Sequence, residues 1–448
     1  MKKILALLLA AAMILGLAAC GNSGGGGGAD NSGGGDNAAV ETGGGEEAGG
    51  EEAAVGATPN ANPDGSINLD MVALVDPNYD YSQNPSFRVC YIASASTQLY
   101  TKAADYAALL CDQMNMEWMG FSSAEGDNDL YMTMLQQQLD AGYDIYILDP
   151  DSTIFPTVVA LMDQYPEVSW ITQMAPARDG AEGEGIPVGG NLLHPSIGFS
   201  NYEAGWRQME RLFEWINEEY PDADWSEVGC ISMDYSLVPL LHERTLAAMD
   251  YWAENAPAEA QANIFDADCS AAGMTQQAAM DIVAPILTNN SSIRYWLIQG
   301  NMDDWAQGAA TVMANAGLEE TSCAVTFGGS NLEQQWDAGV QSCFRYALTS
   351  ASAQYIGTCL GACYAEQMGW ATMDELWPSW VKSSDHGGEG HTYATFLVPT
   401  FWEDYDTYQT FLEWTDLISG ANYYDYDVEV SLDDYPIEAV VPDGYADT

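Results

Sequence analysis

Two groups of side chains have residue types and spacing that could support chemistry. His386 and His391 border a glycine-rich stretch and, with Asp385, could ligate a metal ion, although solvent-exposed polar residues on a loop explain the same pattern. Asp303 and Asp304 could act as the paired carboxylates of a glycosidase, but such neighbours arise by chance in a chain with 66 acidic residues. We therefore expect no metal site and no catalytic residues.

The chain also lacks the common sequence motifs for catalysis and nucleotide binding. No GxGxxG or GxSxG motif follows a predicted strand, and neither HExxH nor GxxxxGK followed by Ser or Thr occurs in the chain. We therefore predict that the protein is not an enzyme and that it uses no cofactor.

The chain is strongly acidic, which restricts its partners. Its 448 residues include 66 acidic and 11 basic side chains, for a formal net charge of −55. Phosphate binding depends on clustered Lys and Arg, so this composition rules out nucleic acid as a partner and argues against docking on anionic lipid through a basic patch. With 47% hydrophobic and 11% aromatic residues the chain can still build a core. A folded part of roughly 380 residues exceeds what one core usually supports, which predicts two lobes.

Nine cysteines occur without a CxxC pair and without the spacing of a metal site. Cys359 and Cys363 lie four positions apart, and we interpret them as two buried thiols on one face of a helix. If Cys20 has another use, eight cysteines remain, an even number that permits disulfides in an exported protein without fixing their pattern.

The N-terminus has the features of an export signal. Lys2 and Lys3 precede an apolar run of 14 residues at 4–17, shorter than the roughly 20 residues that span a bilayer. The sequence Leu-Ala-Ala-Cys that ends at Cys20 resembles the lipobox of bacterial lipoproteins, in which the cysteine becomes the lipidated first residue. We expect residues 1–19 to be a signal peptide and Cys20 to anchor the protein at the outer face of the cytoplasmic membrane. An ordinary cleaved signal with an incidental cysteine is the alternative.

Residues 20–66 are predicted to form a flexible tether behind this anchor. From Gly21 to Ser66 the chain has 16 glycines, and Val40 and Val55 are its only sizeable apolar residues. Such a segment cannot bury a core, and its acidic side chains repel one another.

After residue 86, short apolar runs alternate with longer amphipathic stretches. Strands are predicted at 88–93, 144–148, 168–171, 228–232, 295–298 and 323–327. Helices are predicted at 101–116, 130–139, 157–162, 202–218, 242–253, 280–287 and 308–316. Strands separated by helices predict βαβ units with parallel sheets, so the fold class is α/β.

Two segments resemble the type I periplasmic sugar-binding proteins. MLQQQLDAGYDIYILDPD at 134–151 is similar to the helix, strand and acidic loop of that family. IRYWLIQGNMDDW at 293–305, with the following 308–317, resembles its L-arabinose-binding branch most closely. The resemblance extends in element order over roughly residues 86–415 and implies two Rossmann-like lobes, joined by three crossing strands, with the ligand enclosed between them.

The resemblance also implies where the lobes begin and end. It places the three crossings near Met174, Phe344–Leu348 and Ala394–Pro399. The N-terminal lobe would then comprise 67–174 with 347–392, and the C-terminal lobe 175–346 with 393–448.

Sugar recognition requires particular side chains, and the family motifs indicate which residues of this chain would supply them. Planar Asp, Asn, Gln and Arg groups pair with adjacent hydroxyls, and an aromatic face covers the C–H side of the ring. The residues implied as ligand-binding are Ser94, Gln98, Tyr100, Asp149, Asp151, Gln173, Met174, Arg244, Asn301, Asp303, Ser330 and Asn331.

Some of these matches are inexact, and each has a structural alternative. Tyr100 matches the family's stacking aromatic, while Arg244 matches an Arg-x-x-Gly motif in which Ala247 replaces the glycine. Gln173 and Met174 stand where the arabinose branch has acids, which argues against arabinose itself. As alternatives, the tyrosine would be an ordinary helix-start aromatic, the strand-end aspartates helix caps, and the arginine a surface ion-pair partner.

The function implied by the resemblance is the capture of a monosaccharide or a similar small polyhydroxylated solute. The protein would be the lipid-anchored, monomeric binding subunit of an ABC importer, with permease and ATPase subunits as partners. Three alternatives stay open at this stage: a receptor that serves a sensor kinase or chemotaxis system, a binding protein for a nucleoside, amino acid or furanone signal, and a surface enzyme or adhesin.

Overall fold

The structure is a computed structural model that describes residues 58–76, 78–96, 98–174, 176–181, 186, 188–380, 393–418 and 435–441. The predicted signal peptide, Cys20, most of the tether, and His386 and His391 lie outside these residues. Among the described helices, none is both long and apolar enough to cross a membrane.

Six strands form the first sheet, and all of their pairings are parallel. The strands are β1 (Arg88–Ala93), β2 (Glu117–Ser123), β3 (Ile145–Asp149), β4 (Ser169–Gln173), β5 (Ser196–Gly198) and β11 (Thr395–Leu397), in the spatial order β11-β5-β4-β3-β1-β2. The helices beside this sheet are α1 (Gln98–Gln113), α2 (Asn128–Asp140), α3 (Phe155–Met162) and α9 (Ser352–Gln367).

Seven strands form the second sheet, which is parallel except at one side. The strands are β6 (Val228–Asp234), β7 (Ile264–Asp268), β8 (Tyr295–Gly300), β9 (Ser322–Phe327), β10 (Phe344–Ser350), β12 (Thr400–Glu403) and β13 (Ala439–Val440). Their spatial order is β13-β12-β10-β9-β8-β6-β7, with β12 and β13 antiparallel to their neighbours. The remaining helices are α4 (Asn201–Glu219), α5 (Pro239–Asn255), α6 (Gln276–Asn289), α7 (Asp303–Asn315), α8 (Ser330–Asp337) and α10 (Tyr408–Ile418).

The α/β class predicted from the alternation is confirmed. The central strands β3, β6 and β9 are buried along their whole length, as expected for parallel strands covered by helices on both faces. Side-chain caps start several of the connecting helices: the Asp127 carboxylate accepts from the Leu130 N–H, and the Ser200 hydroxyl accepts from the Glu203 N–H.

Several strands were not predicted from the sequence pattern, among them β2 and β7. Each of these two is the last strand on one side of its sheet, and each mixes exposed positions with partly or fully buried ones. An edge strand meets solvent along one side, so it needs no continuous apolar run and gives a weaker sequence signal. The helix predicted at 101–116 ends at Gln113, and β2 follows it closely.

The chain passes between the two sheets three times. It leaves the first sheet after Gly198, returns after Ser350, and leaves again between Leu397 and Thr400. The last two passages fall close to the predicted crossings, whereas the first lies further along the chain than the crossing predicted near Met174. The reason is that β5 pairs with β4 and extends the first sheet before the chain departs. The predicted lobe boundaries stay a prediction.

All eight cysteines among the described residues are buried free thiols. Cys359 and Cys363 are completely buried in α9, as predicted from their spacing. Desolvation raises the pKa of both thiols above the ordinary range, so neither has the character of a reactive thiolate.

Candidate functional site

The carboxyl ends of the parallel strands carry several of the predicted ligand-binding residues. Asp149 ends β3, Gln173 ends β4, and Ser94 follows β1. The Ser94 backbone N–H donates to the Asp149 carbonyl over 2.8 Å, which joins the ends of β1 and β3. In the second sheet, Asn301 follows β8, and Ser330 begins α8 just after β9. Open α/β sheets bind ligands at these ends.

Asp149 is a buried hydrogen-bond acceptor whose side-chain neighbour, the Tyr100 hydroxyl, does not meet it with good hydrogen-bond geometry. The residue is 1% exposed, and neither carboxylate oxygen accepts a hydrogen bond of acceptable geometry from a described residue. Burial raises the pKa of Asp149 to about 7, while the nearby Tyr100 hydroxyl opposes that shift. Buried polar groups are normally satisfied, so an unsatisfied carboxylate at a strand end indicates a place for a ligand donor.

Tyr100 and Gln173 both contact Tyr91 in this site. The rings of Tyr91 and Tyr100 pack edge to face, with 6.5 Å between their centroids. The Gln173 side-chain amide donates to the Tyr91 hydroxyl, and its Oε1 is buried without a described donor. Burial, followed by the field of Asp149, raises the pKa of the Tyr100 hydroxyl well above its ordinary value. Tyr100 therefore presents a neutral O–H at physiological pH.

Three other residues predicted on this side have different geometries. The Asp151 carboxylate caps a short 3-10 turn by accepting from the Thr153 N–H at 2.9 Å and from its hydroxyl at 2.6 Å, which is the structural alternative noted for this residue. Met174 has a φ of 56°, in the left-handed region, and packs against the cores of both sheets. Gln98 begins α1, and its side chain is outside the described part of the structure. Direct ligand contact by these three residues stays a prediction.

Arg244, on α5, is the main cationic group of the site in the second sheet. Its side chain is buried, with Nε donating to Asn201 Oδ1 at 2.9 Å and Nη1 donating to the Asn301 carbonyl at 2.7 Å. The guanidinium lies over the rings of Phe199 and Phe327, which stack on each other with 4.2 Å between centroids. These contacts fix the plane of the guanidinium.

Arg244 interacts electrostatically with Tyr100, which lies on a helix of the other sheet. Burial lowers the pKa of Arg244 to about 9, and the neighbouring Glu243 and Tyr100 oppose this shift. In return, the charge of Arg244 lowers the pKa of Tyr100. The arginine is still cationic at neutral pH, so the site combines a fixed cation from one sheet with an acceptor and a neutral hydroxyl from the other.

A glycine on α4 determines how closely α5 approaches. A methyl group on Gly205 would lie 2.2 Å from the Arg244 carbonyl oxygen and 2.7 Å from its Cα. No side chain fits in that space, so glycine allows the two helices to meet at the residue that carries the guanidinium.

Asn301 has a positioning role in this structure. Its Nδ2 donates to the Met233 carbonyl and to the Thr245 hydroxyl, and its Oδ1 accepts from Gln299. The side chain is 0% exposed and its hydrogen-bonding capacity is used inside the protein. The geometry therefore favours support of Arg244 through the backbone carbonyl over the predicted direct contact with ligand.

Asp303, Ser330 and Asn331 come together at the turn after β9. Asp303 Oδ2 accepts from the backbone N–H groups of Gly329 and Asn331, each at 3.2 Å, and the Asn331 amide donates to Asp304 at 3.1 Å. Burial raises the pKa of Asp303 to about 6, and the two backbone donors oppose that shift. The structure thus brings these predicted residues together at one turn. Their contact with ligand stays a prediction.

Sequence reasoning missed three charged residues next to this turn. Lys102 on α1 lies 3.4 Å from Glu333 on α8, measured from Nζ to Oε2. Glu403 in β12 is 0% exposed, and neither of its carboxylate oxygens has a described hydrogen-bond partner. The sequence signal for this cluster was Lys102 itself, because the chain has only 11 basic residues. The phenylalanines beside Arg244 were also missed, and they give no comparable signal.

No protein-family model matches the chain, and no curated protein matches it in sequence. Solved structures do match its fold. An ABC transporter periplasmic solute binding protein from Actinobacillus succinogenes 130z with bound D-allose aligns with a TM-score of 0.53 and 15% identity, covering 72% of this chain and 100% of that one. An arabinose binding protein from Geobacillus stearothermophilus aligns with a TM-score of 0.54 and 11% identity, covering 73% of this chain and 99% of that one.

A third match comes from Conexibacter woesei DSM 14684, a periplasmic ribose ABC transporter protein, with a TM-score of 0.52 and 14% identity, covering 73% of this chain and 95% of that one. At these identities the matches establish the fold. The type I periplasmic binding protein architecture, to which the sequence showed a resemblance, is thereby confirmed.

Proposed function

We propose that the protein captures a monosaccharide or a similar small polyhydroxylated solute as the binding subunit of an ABC importer. The observation that carries this proposal is the Asp149 carboxylate, which is buried at the carboxyl end of β3 and has no hydrogen bond of good geometry, with the Tyr100 hydroxyl as its neighbour. A sugar hydroxyl donates to such an oxygen and accepts from a neighbouring N–H or O–H, as Tyr100 and Arg244 would provide. Solved structures with this fold, named as solute-binding proteins of ABC transporters, support the proposal.

The proposed mechanism is capture by closure of two lobes around the solute. Asp149 and Tyr100 belong to one sheet and its helices, and Arg244 to the other, so a ligand that contacts all three is held from both sides. Among the described residues, the hydrogen bonds of Arg244 use Nε and Nη1, which leaves Nη2 to donate to a ligand. The ligand stabilises the closed arrangement because it makes its full set of contacts only there. No covalent step is involved.

The lobes of this mechanism are the ones implied by the resemblance, 67–174 with 347–392 and 175–346 with 393–448. We further propose that the protein acts as a monomer, that its closed form docks on permease and ATPase subunits, and that lipidated Cys20 holds it at the outer face of the cytoplasmic membrane. Replacement of Cys20 by Ser tests the anchor: the variant should leave the membrane fraction, whereas membrane retention would contradict lipidation.

A thermal-shift screen of the purified protein against pentoses, hexoses, nucleosides and amino acids tests the binding proposal, with calorimetry on each hit. Ligand at 100 times its dissociation constant stabilises the folded state by about 2.7 kcal/mol, which raises Tm by several degrees. We expect a one-to-one sugar complex that is lost in Asp149→Asn and kept in Asp222→Asn, a control at an exposed position. No response to any sugar would refute the assignment.

Uptake of the labelled ligand separates the importer from a sensory receptor. Cells that lack the protein should lose uptake if it serves an importer, and they should keep uptake but lose the response to the ligand if it serves a sensor kinase or chemotaxis system.

A further inference from the structure

Three carboxylates converge on the turn at Gly328 and Gly329. A methyl group on Gly329 would lie 3.5 Å from Glu333 Oε1 and 3.5 Å from Glu403 Oε2, so these two oxygens face the same small space. Asp303 reaches the same turn through its hydrogen bond from the Gly329 N–H. We call Asp303, Glu333 and Glu403 the acidic pocket.

The acidic pocket adjoins the proposed solute site. Asp303 lies two positions after Asn301, whose carbonyl holds Arg244. Lys102, which contacts Glu333, lies two positions after Tyr100 near the start of α1. Two residues of chain span at most about 7 Å, so the backbone of Asp303 lies near the carbonyl that holds Arg244, and the backbone of Lys102 lies near Tyr100.

Glu403 is the residue that indicates an absent partner. It is 0% exposed, and neither carboxylate oxygen has a hydrogen bond of good geometry; its hydrogen-bonding neighbour is another carboxyl group, that of Glu333, rather than a cation or an amide. Burial, then the negative charge of Glu333 on α8 and of Asp303 on α7, raises its pKa well above the ordinary value, and Lys102 on α1 opposes the shift. Burial of an unpaired carboxylate next to other carboxylates is costly, so without a further cation the pocket must retain protons.

Lys102 shows which kind of cation the pocket accepts. Its ammonium contacts Glu333 at 3.4 Å, and it is the only lysine or arginine that forms an ion pair with the acidic pocket among the described residues. One ammonium compensates one of three carboxylates. A second ammonium would satisfy the remaining acceptors, and its three N–H donors suit converging carboxylate oxygens.

We propose that the acidic pocket binds a protonated amine of the solute, so the ligand is an amino sugar or a similar amine-bearing polyol. This inference rests on the proposed solute-binding function and specifies its substrate class. The ligand ammonium donates to Glu403 and Glu333 and replaces a proton that the empty pocket holds. Binding therefore releases a proton, and Lys102 stays in place.

Calorimetry on matched triples tests the inference near neutral pH, with glucosamine, glucose and N-acetylglucosamine as one triple and the galactose and mannose series as the others. We expect one free amine to bind roughly tenfold or more tightly than both its hydroxyl parent and its N-acetyl form, since a charge-assisted hydrogen bond contributes about that factor. Titrations in two buffers with different ionisation enthalpies should show proton release with the amine and none with the parent.

Variants then connect the preference to the pocket. Glu403→Gln should reduce the ratio of amine to parent affinity to near one, and Glu413→Gln, at an exposed position on α10, should leave that ratio unchanged. If Glu403→Gln does not fold, Glu333→Gln and the proton-release measurement on the unaltered protein replace it.

Each result has a distinct meaning. Neutral sugars that bind as tightly as their amines, or a preference that survives Glu403→Gln, would overturn the amine inference and leave the solute-binding proposal standing. If no sugar of either kind binds, both proposals fail.

Discussion

The guanidinium of Arg244 lies over the ring of Phe327, with 4.2 Å between Cζ and the centre of the ring. Phe199 stacks on the same phenylalanine, and two hydrogen bonds hold the guanidinium over these rings. A cation this deeply buried is costly unless its contacts recover the lost hydration. The arrangement therefore fixes a donor at the carboxyl end of the second sheet before any solute arrives. Less side-chain entropy is then lost when the solute binds.

Arg244→Lys keeps the charge but removes the planar fork. We expect ligand affinity to fall by roughly ten- to a hundredfold, because a lysine cannot hold Asn201 and the Asn301 carbonyl while it also donates to the solute. Calorimetry measures the change. Arg294→Lys is the control, since Arg294 forms an exposed ion pair with Glu227, and it should bind as the unaltered protein does. Unchanged affinity in Arg244→Lys would remove this residue from the site.

Gly205→Ala places a methyl group against the backbone of Arg244. The helices α4 and α5 must separate to admit it, so we expect the free energy of unfolding to fall by roughly 1–3 kcal/mol in urea titrations, with ligand affinity reduced as well. Gly357→Ala on α9 is the matched control, because a methyl group there meets only a Leu110 methyl, at 3.3 Å. That control should change stability by less than about 1 kcal/mol. Equal effects of the two substitutions would contradict the close approach of α4 and α5 at Gly205.

Asp149 gives the folded state a definite pH dependence. Its pKa is raised from 3.8 to about 7, so the folded protein keeps a proton that the unfolded chain releases. Because the folded state then binds more protons than the unfolded one, stability falls as pH rises through that window. Asp149→Asn should flatten this slope and be relatively more stable than the unaltered protein at the alkaline end. Urea titrations across the window measure it, and parallel curves for variant and parent would show that Asp149 is not the group responsible.

Glu403→Gln should stabilise the ligand-free protein at neutral pH. The substitution removes a buried acid that faces Glu333 and Asp303, and we expect the free energy of unfolding to rise by roughly 1 kcal/mol or more. The gain should shrink under acidic conditions, because there the unfolded chain also holds the proton and the raised pKa of Glu403 no longer costs stability. Thermal or urea unfolding measures it, with Glu413→Gln as the exposed control. Destabilisation at neutral pH would mean that the carboxylate has an internal partner.

Local pattern was sufficient to predict the central strands and the order of elements. β3, β6 and β9 are buried on both faces, so their apolar runs identify them, whereas the edge strands β2 and β7 carry a mixed pattern. Asp149 and Gln173 were implied by the family resemblance rather than by this pattern, and both lie at the ends of strands.

The remaining members of the site depend on contacts between distant segments. Glu403 is brought to Glu333 by the antiparallel pairing of β12 with β10, and Lys102 reaches Glu333 from a helix of the other sheet. Nothing in the neighbouring sequence of these residues records those contacts. The same holds for Asn301, whose position after β8 was predicted but whose side chain turns inward to Met233 and Thr245.

The eight buried thiols have a consequence for the kinetics of refolding. With free cysteines throughout the described residues, recovery from denaturant there involves no exchange of disulfides, so a redox buffer should leave its rate unchanged. The slow step is then the meeting of remote segments, such as Ser196 in β5 and Thr395 in β11, which lie 199 positions apart and share a hydrogen bond. Parallel pairing over such separations slows folding, so the first sheet should be completed only after the chain has passed through the second.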